Sequence, residues 1–328
     1  VAGIKEIKLQ RSHVIILVLI SIIIAMIIFG YFYMMRVSPL ETGSLPDNIS
    51  DMPVQKFIIK GAEKDPLNKV LGVAVNHDNN QIVVADSGNH RIAVFDANGK
   101  VVKTFGKFGK GDSEFNYPTS VAVSPEGEIY VVDFNNRRIQ IFDEEGKLLR
   151  KITEDTAGSP FIPVVVTVDE EGEVFVSDLG KQQILVFDRK DKVARSIAKA
   201  GTGEGQISYA NGLYVDNKNG WLFVADSNNG RVQVFTLEGK FVKSLNRELG
   251  FAVPRGILYD TEAGRLYVVD TLLHQVKVFD GGFKPIGGFG GQGTGDGQLS
   301  FPNSMARDER GNLYIADREN NRIVVYGY

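Results

Sequence analysis

VVADSGNHRIAVFDANGK, residues 83–100, sets an Asp, an Asn and an Arg in a fixed frame between two runs of valine, isoleucine and phenylalanine. Similar frames return as VVDFNNRRIQIFDEEGK from Val131, VSDLGKQQILVFDRKDK from Val176 and VADSNNGRVQVFTLEGK from Val224, then as VVDTLLHQVKVFDGGFK from Val268 and IADRENNRIVVYGY from Ile315. The anchoring aspartates Asp86, Asp133, Asp178, Asp226, Asp270 and Asp317 stand 44 to 48 residues apart, the period of a four-stranded propeller blade. Around each frame the grammar is constant: a run opening near a proline (YPTSVAV, VPRGILY, FPNSMAR), a turn, a run ending on the Asp, a tight turn, an alternating third run, and a fourth run. Short β-branched runs bounded by Gly, Asn and Asp are strand signals. The expected fold is all-β, a six-bladed β-propeller.

The sixth repeat stops at Tyr328 after three runs, while VQKFIIKG from Val54 reads as an orphan fourth run. An unpaired outer edge would expose backbone donors and acceptors, so residues 54–60 are expected to complete the last blade as a velcro strand. The frame resembles the NHL repeat over roughly residues 54–328. That resemblance implies the propeller scaffold and leaves function open, because one such scaffold hosts enzymes, sensors and binding modules.

Within the frame, the five-residue step from Asp86 to Arg91 recurs in Asp133 to Arg138, Asp226 to Arg231 and Asp317 to Arg322; in the other two blades the Arg is Gln183 or Gln275. A feature repeated around a ring serves each blade, so these pairs are assigned a structural role, holding turns by charge-assisted hydrogen bonds.

The N-terminal part reads differently. VIILVLISIIIAMIIFGYFYMM, residues 14–35, is uncharged and apolar for 22 residues, enough to cross a bilayer as a helix, and no A-x-A-like cleavage site follows before Arg36. It is read as an uncleaved signal anchor. Lys5, Lys8 and Arg11 precede it, so residues 1–13 are expected in the cytoplasm, residues 36–53 as a stalk, and residues 54–328 outside, periplasmic or extracellular. Of the 37 basic and 40 acidic residues, four and one lie in the first 36, leaving 33 against 39 in the remainder. A surplus of about six negative charges opposes nucleic acid as a partner. Cysteine is absent, which excludes disulfides and Cys-based metal sites.

Relatives of this repeat that resemble peptidyl-hydroxyglycine amidating lyases hold zinc with histidines just after the proline of the inner strand; here those positions are Leu71, Thr119, Val164, Asn211, Arg255 and Asn303. Lactonase-like propellers that carry a metal use Glu, Asn and Asp at the channel mouth, where Asn211 and Asn303 have no Glu to join them. No catalytic residue, metal or cofactor is therefore assigned, and a metal-dependent hydrolase or lyase at the channel mouth is the alternative. The glycine-rich IGGFGGQGTGDG, residues 286–297, opens no helix, so it is a connection between blades rather than a phosphate loop. Related loops precede repeats two and four.

In a propeller the connection into each inner strand and the turn after each second strand emerge on one face. There one turn position varies from blade to blade, as His90, Arg137, Gln182, Gly230, His274 and Asn321. With Arg255, Asn211 and Asn303 at the mouth, and Phe134, Leu272, Leu273 and Tyr209 in turns and loops, these form the candidate binding surface. The function expected is a membrane-anchored extracytoplasmic scaffold that binds protein or ligand, possessing a membrane or envelope protein as partner; a sensor ectodomain is a further alternative.

Overall fold

The computed structural model describes residues 52–153 and 161–328. The anchor at 14–35, the tail at 1–13 and the stalk up to residue 51 lie outside the described residues. Among the described residues no helix is long and apolar enough to cross a membrane.

Six four-stranded antiparallel sheets form the blades. Blade 1 runs outward as Gly72–Asn76, Gln81–Asp86, Arg91–Phe95 and Val101–Phe105, and the next four blades follow the same order. Each inner strand lies against the next, the last against the first, so the ring is closed. Blade 6 takes Pro302–Arg307, Leu313–Asp317 and Arg322–Gly327 from the C-terminus and Val54–Ile59 from the N-terminal side, in the register Val54↔Gly327 to Ile59↔Ile323. The velcro strand is thus as expected, with its last residue at Ile59.

Alternation along each strand sends successive side chains to opposite faces, and a blade has a neighbour on both. Ile82 and Val84 accordingly join the core between blades 1 and 6, whereas Val83 and Ala85 join the core between blades 1 and 2. Each pair of adjacent blades shares one such apolar cluster. Fully burying one Phe or Val side chain contributes about 1.5–3 kcal/mol, and the second and third strands do so at nearly every position. The inner strands approach each other through small residues: a Cβ on Gly72 would meet the backbone of Ser120, one on Gly256 that of Ser304, and one on Gly212 would fall 1.7 Å from the Arg255 carbonyl oxygen.

The segment after each Asp is a single turn of 3-10 helix in five blades, ended by a residue in the left-handed region: His90, Arg137, Gly230, His274 or Asn321. Gln182 in blade 3 has the same backbone sign, with φ 53°.

Candidate functional site

The loop-rich face is organised by the six aspartates, all buried. One carboxylate oxygen of each accepts the backbone N–H of the segment leading into the same blade's inner strand: Asn68, Asn116, Ile162, Ser208, Val253 or Ser300, at 2.6–3.0 Å. The other oxygen of Asp86, Asp133, Asp226 and Asp317 receives Nε of Arg91, Arg138, Arg231 and Arg322 at 2.7–2.8 Å, and the amide of the Asn three residues on. Gln183 donates to Asp178 in the same way at 3.1 Å. In blade 5 the cation has moved two residues along, to Lys277, whose Nζ lies 4.0 Å from Asp270 and donates to the carbonyls of Leu249 and Gly250. Burial pushes the Asp270 carboxyl up and the Lys277 ammonium down.

Three connections, before blades 2, 4 and 6, share one conformation. Gly109, Gly201 and Gly293 donate N–H to the carbonyls of Phe115, Ile207 and Leu299, whose side chains are buried. The guanidinium groups of Arg138, Arg231 and Arg322 reach across to loop carbonyls, those of Glu114, Gln206 and Gln298 at 2.8 Å each. The Arg of the frame therefore serves two masters, its Asp and the loop ahead of it. Blade 5, with Gln in its place, lacks that loop, and the connection into blade 3 has no such glycine-rich run in its sequence.

The variable turn position proves to be a clasp between blades. His90 Nδ1 accepts the N–H of Tyr117 at 3.0 Å, Gln182 Oε1 that of Tyr209 at 2.6 Å, His274 Nδ1 that of Phe301 at 3.0 Å, and Asn321 Oδ1 that of Lys69 at 2.7 Å. Three chemically different side chains present one acceptor at one place. The His274 ring also meets Phe301 edge-on, with centroids 4.4 Å apart, and burial holds its pKa below the usual 6.5 against the opposing charge of Asp317. Arg137, on the same face, is exposed. Phe134 packs against the core between blades 2 and 3, while Phe108, Tyr209 and Leu272 present 66%, 44% and 46% of their surface.

A central channel of about 750 Å³ runs between the inner strands. Its side chains are aimed by the start of those strands: Pro118, Pro163, Pro254 and Pro302 pair with the blade's Asp, and a bulge follows at once. A proline suits a strand start, having no N–H to donate, and the bulge re-aims the residue after it. Thr119 thus donates to the Val164 carbonyl at 2.9 Å and Asn303 to that of Leu71 at 2.8 Å, stitching neighbouring blades at the mouth. Arg255 Nη1 donates to Asn303 Oδ1 at 2.5 Å. Asn211, which also lines the channel, donates to the Tyr209 carbonyl at 3.1 Å. At the far end Arg307 pairs with Asp260 at 3.2 Å, and Asp169 and Asp308 cap their turns.

A divalent metal does not fit the loop-side mouth, since the Asn303 oxygen that would ligate it already holds the guanidinium of Arg255. Nor do three His, Asp or Glu side chains gather elsewhere among the described residues in a metal-binding group. His90 and His274, in blades 1 and 5, are tied to different backbone groups.

Two residues of this face escape a reading of the sequence as a repeat. Lys277 does, because its apolar neighbours mark it as an ordinary third-strand position. Arg318 does too, although it had a signal: it follows Asp317 where blades 1, 4 and 5 carry Ser87, Ser227 and Thr271, whose hydroxyls donate to Pro118, Pro254 and Pro302 carbonyls of the next blade.

A family model described as a six-bladed beta-propeller matches residues 67–171 and 162–262, and an NHL repeat model matches residues 299–326. A 68-residue stretch, 21% of the chain, is 46% identical to the Protein brain tumor of Drosophila melanogaster, and spans 6% of that protein's length. Among solved structures, a gluconolactonase from Xanthomonas campestris superposes with TM-score 0.65 at 14% identity, covering 84% of this chain and 95% of that one. A streptogramin B lyase gives 0.60 at 13% identity, covering 83% and 97%. A catalytically inactive virginiamycin B lyase from Staphylococcus aureus with quinupristin gives 0.56 at 12%, covering 79% and 80%. At such identities the likeness is one of fold alone.

Proposed function

We propose, from the premise that this chain belongs to the family of six-bladed β-propellers, that it is a membrane-anchored extracytoplasmic scaffold, a subunit or assembly factor of an envelope complex, which binds a protein partner on its loop-rich face. The observation that supports this is where the large exposed apolar side chains of the loops stand. Phe108, Tyr209 and Leu272 all lie on that face, at different points around the ring; Phe108 and Leu272 depart from the repeat, while Tyr209 is matched by Tyr117 and Phe301. Among the described residues, the other strongly exposed apolar side chains sit on outer strands or at Tyr328. Exposed aromatic and apolar side chains beside an arginine such as Arg137 make good interface anchors.

The chain's path supports the anchored arrangement. Val54 pairs with Gly327, at the end of blade 6 opposite the Asp317 turn. The first strand thus enters blade 6 at the end away from the loop-rich face. The rival reading is a hydrolase or lyase at the channel mouth, where the residues present supply a guanidinium and two amides in place of a metal set.

Photo-crosslinking residues placed at Arg137, Tyr209 and Leu272, and as controls at Asp78 and Lys218 on the opposite face, test the proposal in spheroplasts. A single discrete adduct from the first three positions, degraded by protease added outside, is the expected result. Adducts from the controls alone would reject the face, and protection from external protease would reject the orientation.

A further inference from the structure

Most arginines among the described residues meet an acid. Arg91, Arg138, Arg231 and Arg322 hold the frame aspartates, and Arg150 and Arg195 hold Glu128 and Glu173. Arg255 does not. Its one hydrogen bond given by the structure goes to a neutral amide oxygen, that of Asn303, and its Nε is buried with no hydrogen-bond partner. Burial, and after it the neighbouring cation Arg318, pulls the guanidinium below its usual pKa, with Tyr117 acting the other way. Arg318 lies 5.3 Å over the Phe301 ring, and its own Nε is buried without a hydrogen bond. Glu319 stands 3.0 Å from that Nε, in a direction unsuited to a hydrogen bond, and is also paired with Lys69.

A buried cation without a counter-charge destabilises a fold, and replacing such a group by an apolar one of similar volume is often stabilising. Native proteins leave few buried polar atoms unsatisfied, and those they leave call for a reason. Arg255 is half-buried, its Nε covered, and its guanidinium reaches the channel mouth through Asn303, on the face proposed above for docking. A guanidinium edge with a free N–H matches a planar carboxylate in shape as well as charge. One uncompensated guanidinium, beside a second already shared with Glu319, suits a singly charged group better than a dianion.

We propose that Arg255, with Arg318 within electrostatic reach, receives a single carboxylate of the docking partner, an Asp or Glu side chain or a chain terminus, inserted at the channel mouth; this rests on the loop-rich face being the docking face. The site is an anion receptor kept at the expense of stability.

The probe is acetate, titrated at constant ionic strength against chloride and inorganic phosphate, with the full chain in mild detergent and thermal unfolding as the readout. Acetate is expected to raise the midpoint by roughly 2–4 °C at ten times its dissociation constant. Arg255→Met is expected to start above the wild type and to lose the acetate response. Acetate acting no more than chloride, phosphate acting more than acetate, or a retained response in Arg255→Met would each overturn the assignment. Should that variant fail to fold, the Nε–H resonance of Arg255 in the wild-type chain decides: a saturable shift with acetate supports the site, and an unmoved signal overturns it. Crosslinking tests the docking face separately, so an intact acetate response without top-face adducts would retain the anion site and reject the docking face.

Discussion

The frame Asp and its Arg differ in what their removal leaves behind. Asp226 is fully buried and gathers Ser208 N–H, Asn229, Arg231 and Gln233. Asp226→Ala strands a nearly buried guanidinium and is expected to cost about 3–5 kcal/mol, read from the urea midpoint. Arg231→Gln reproduces what blade 3 does with Gln183 and forfeits bonds to the Gly203 and Gln206 carbonyls, so about 1–3 kcal/mol is expected; equal losses would contradict this division of labour. A second test concerns pH. His274 accepts the Phe301 N–H only when Nδ1 is unprotonated, and its folded pKa is pushed below 6.5. Its contribution is therefore complete above pH 6.5 and is lost as pH falls through the lower folded value. His274→Gln, which mimics Gln182, should flatten the stability profile below pH 6.5, by at most about 1.4 kcal/mol per pH unit; a profile as steep as the wild type's would remove the clasp from the account. The Asp and Arg spacing was legible in the sequence because each local pair repeats. The clasp was not, since side chains as unlike as His, Gln and Asn become equivalent only once a left-handed turn aims them at the next blade.

Elements meet here through glycines and loops more than through strand propensity. The strands follow from period-2 patterning, so their number and order could be read directly. The three equivalent loops were also visible, as glycine-rich repeats before blades 2, 4 and 6, but their carbonyls show as ligands for the frame Arg only in three dimensions. Packing of inner strand on inner strand is most demanding at Gly212, where an added Cβ falls 1.7 Å from the Arg255 carbonyl oxygen. Gly212→Ala is expected to exceed the roughly 1–3 kcal/mol of ordinary overpacking and to displace the strand that carries Arg255. Gly220 gives the contrast: its φ is +66° and nothing lies within 4 Å of an added Cβ, so Gly220→Ala should cost only the roughly 1–2 kcal/mol of a left-handed L residue. Comparable midpoints for the two variants would show that the inner ring is looser than this geometry.

At the scale of the whole molecule, one strand decides whether the ring is closed. The orphan run at Val54 was legible because the last repeat lacked its fourth strand, whereas the direction from which it joins becomes clear only from the register, Val54 against Gly327 and Ile59 against Ile323. Ile59 is buried, and Phe57 packs against the same core, between blades 6 and 1. Deleting residues 54–59 while keeping everything upstream would expose Ile323 and Val325 of that core and open the edge of Arg322–Gly327 to pairing with other chains. Losing the burial of Ile59 and half that of Phe57 amounts to about 3 kcal/mol, which for a domain of this size is a fall of about 5 °C in the unfolding midpoint. Hydrogen exchange should locate the damage, with the amides of Arg322–Gly327 losing protection while those of Gln183–Phe187, on the far side of the ring, keep theirs. An unchanged midpoint would mean that three strands suffice for the last blade, and that the N-terminal strand serves attachment of the tether rather than closure of the ring.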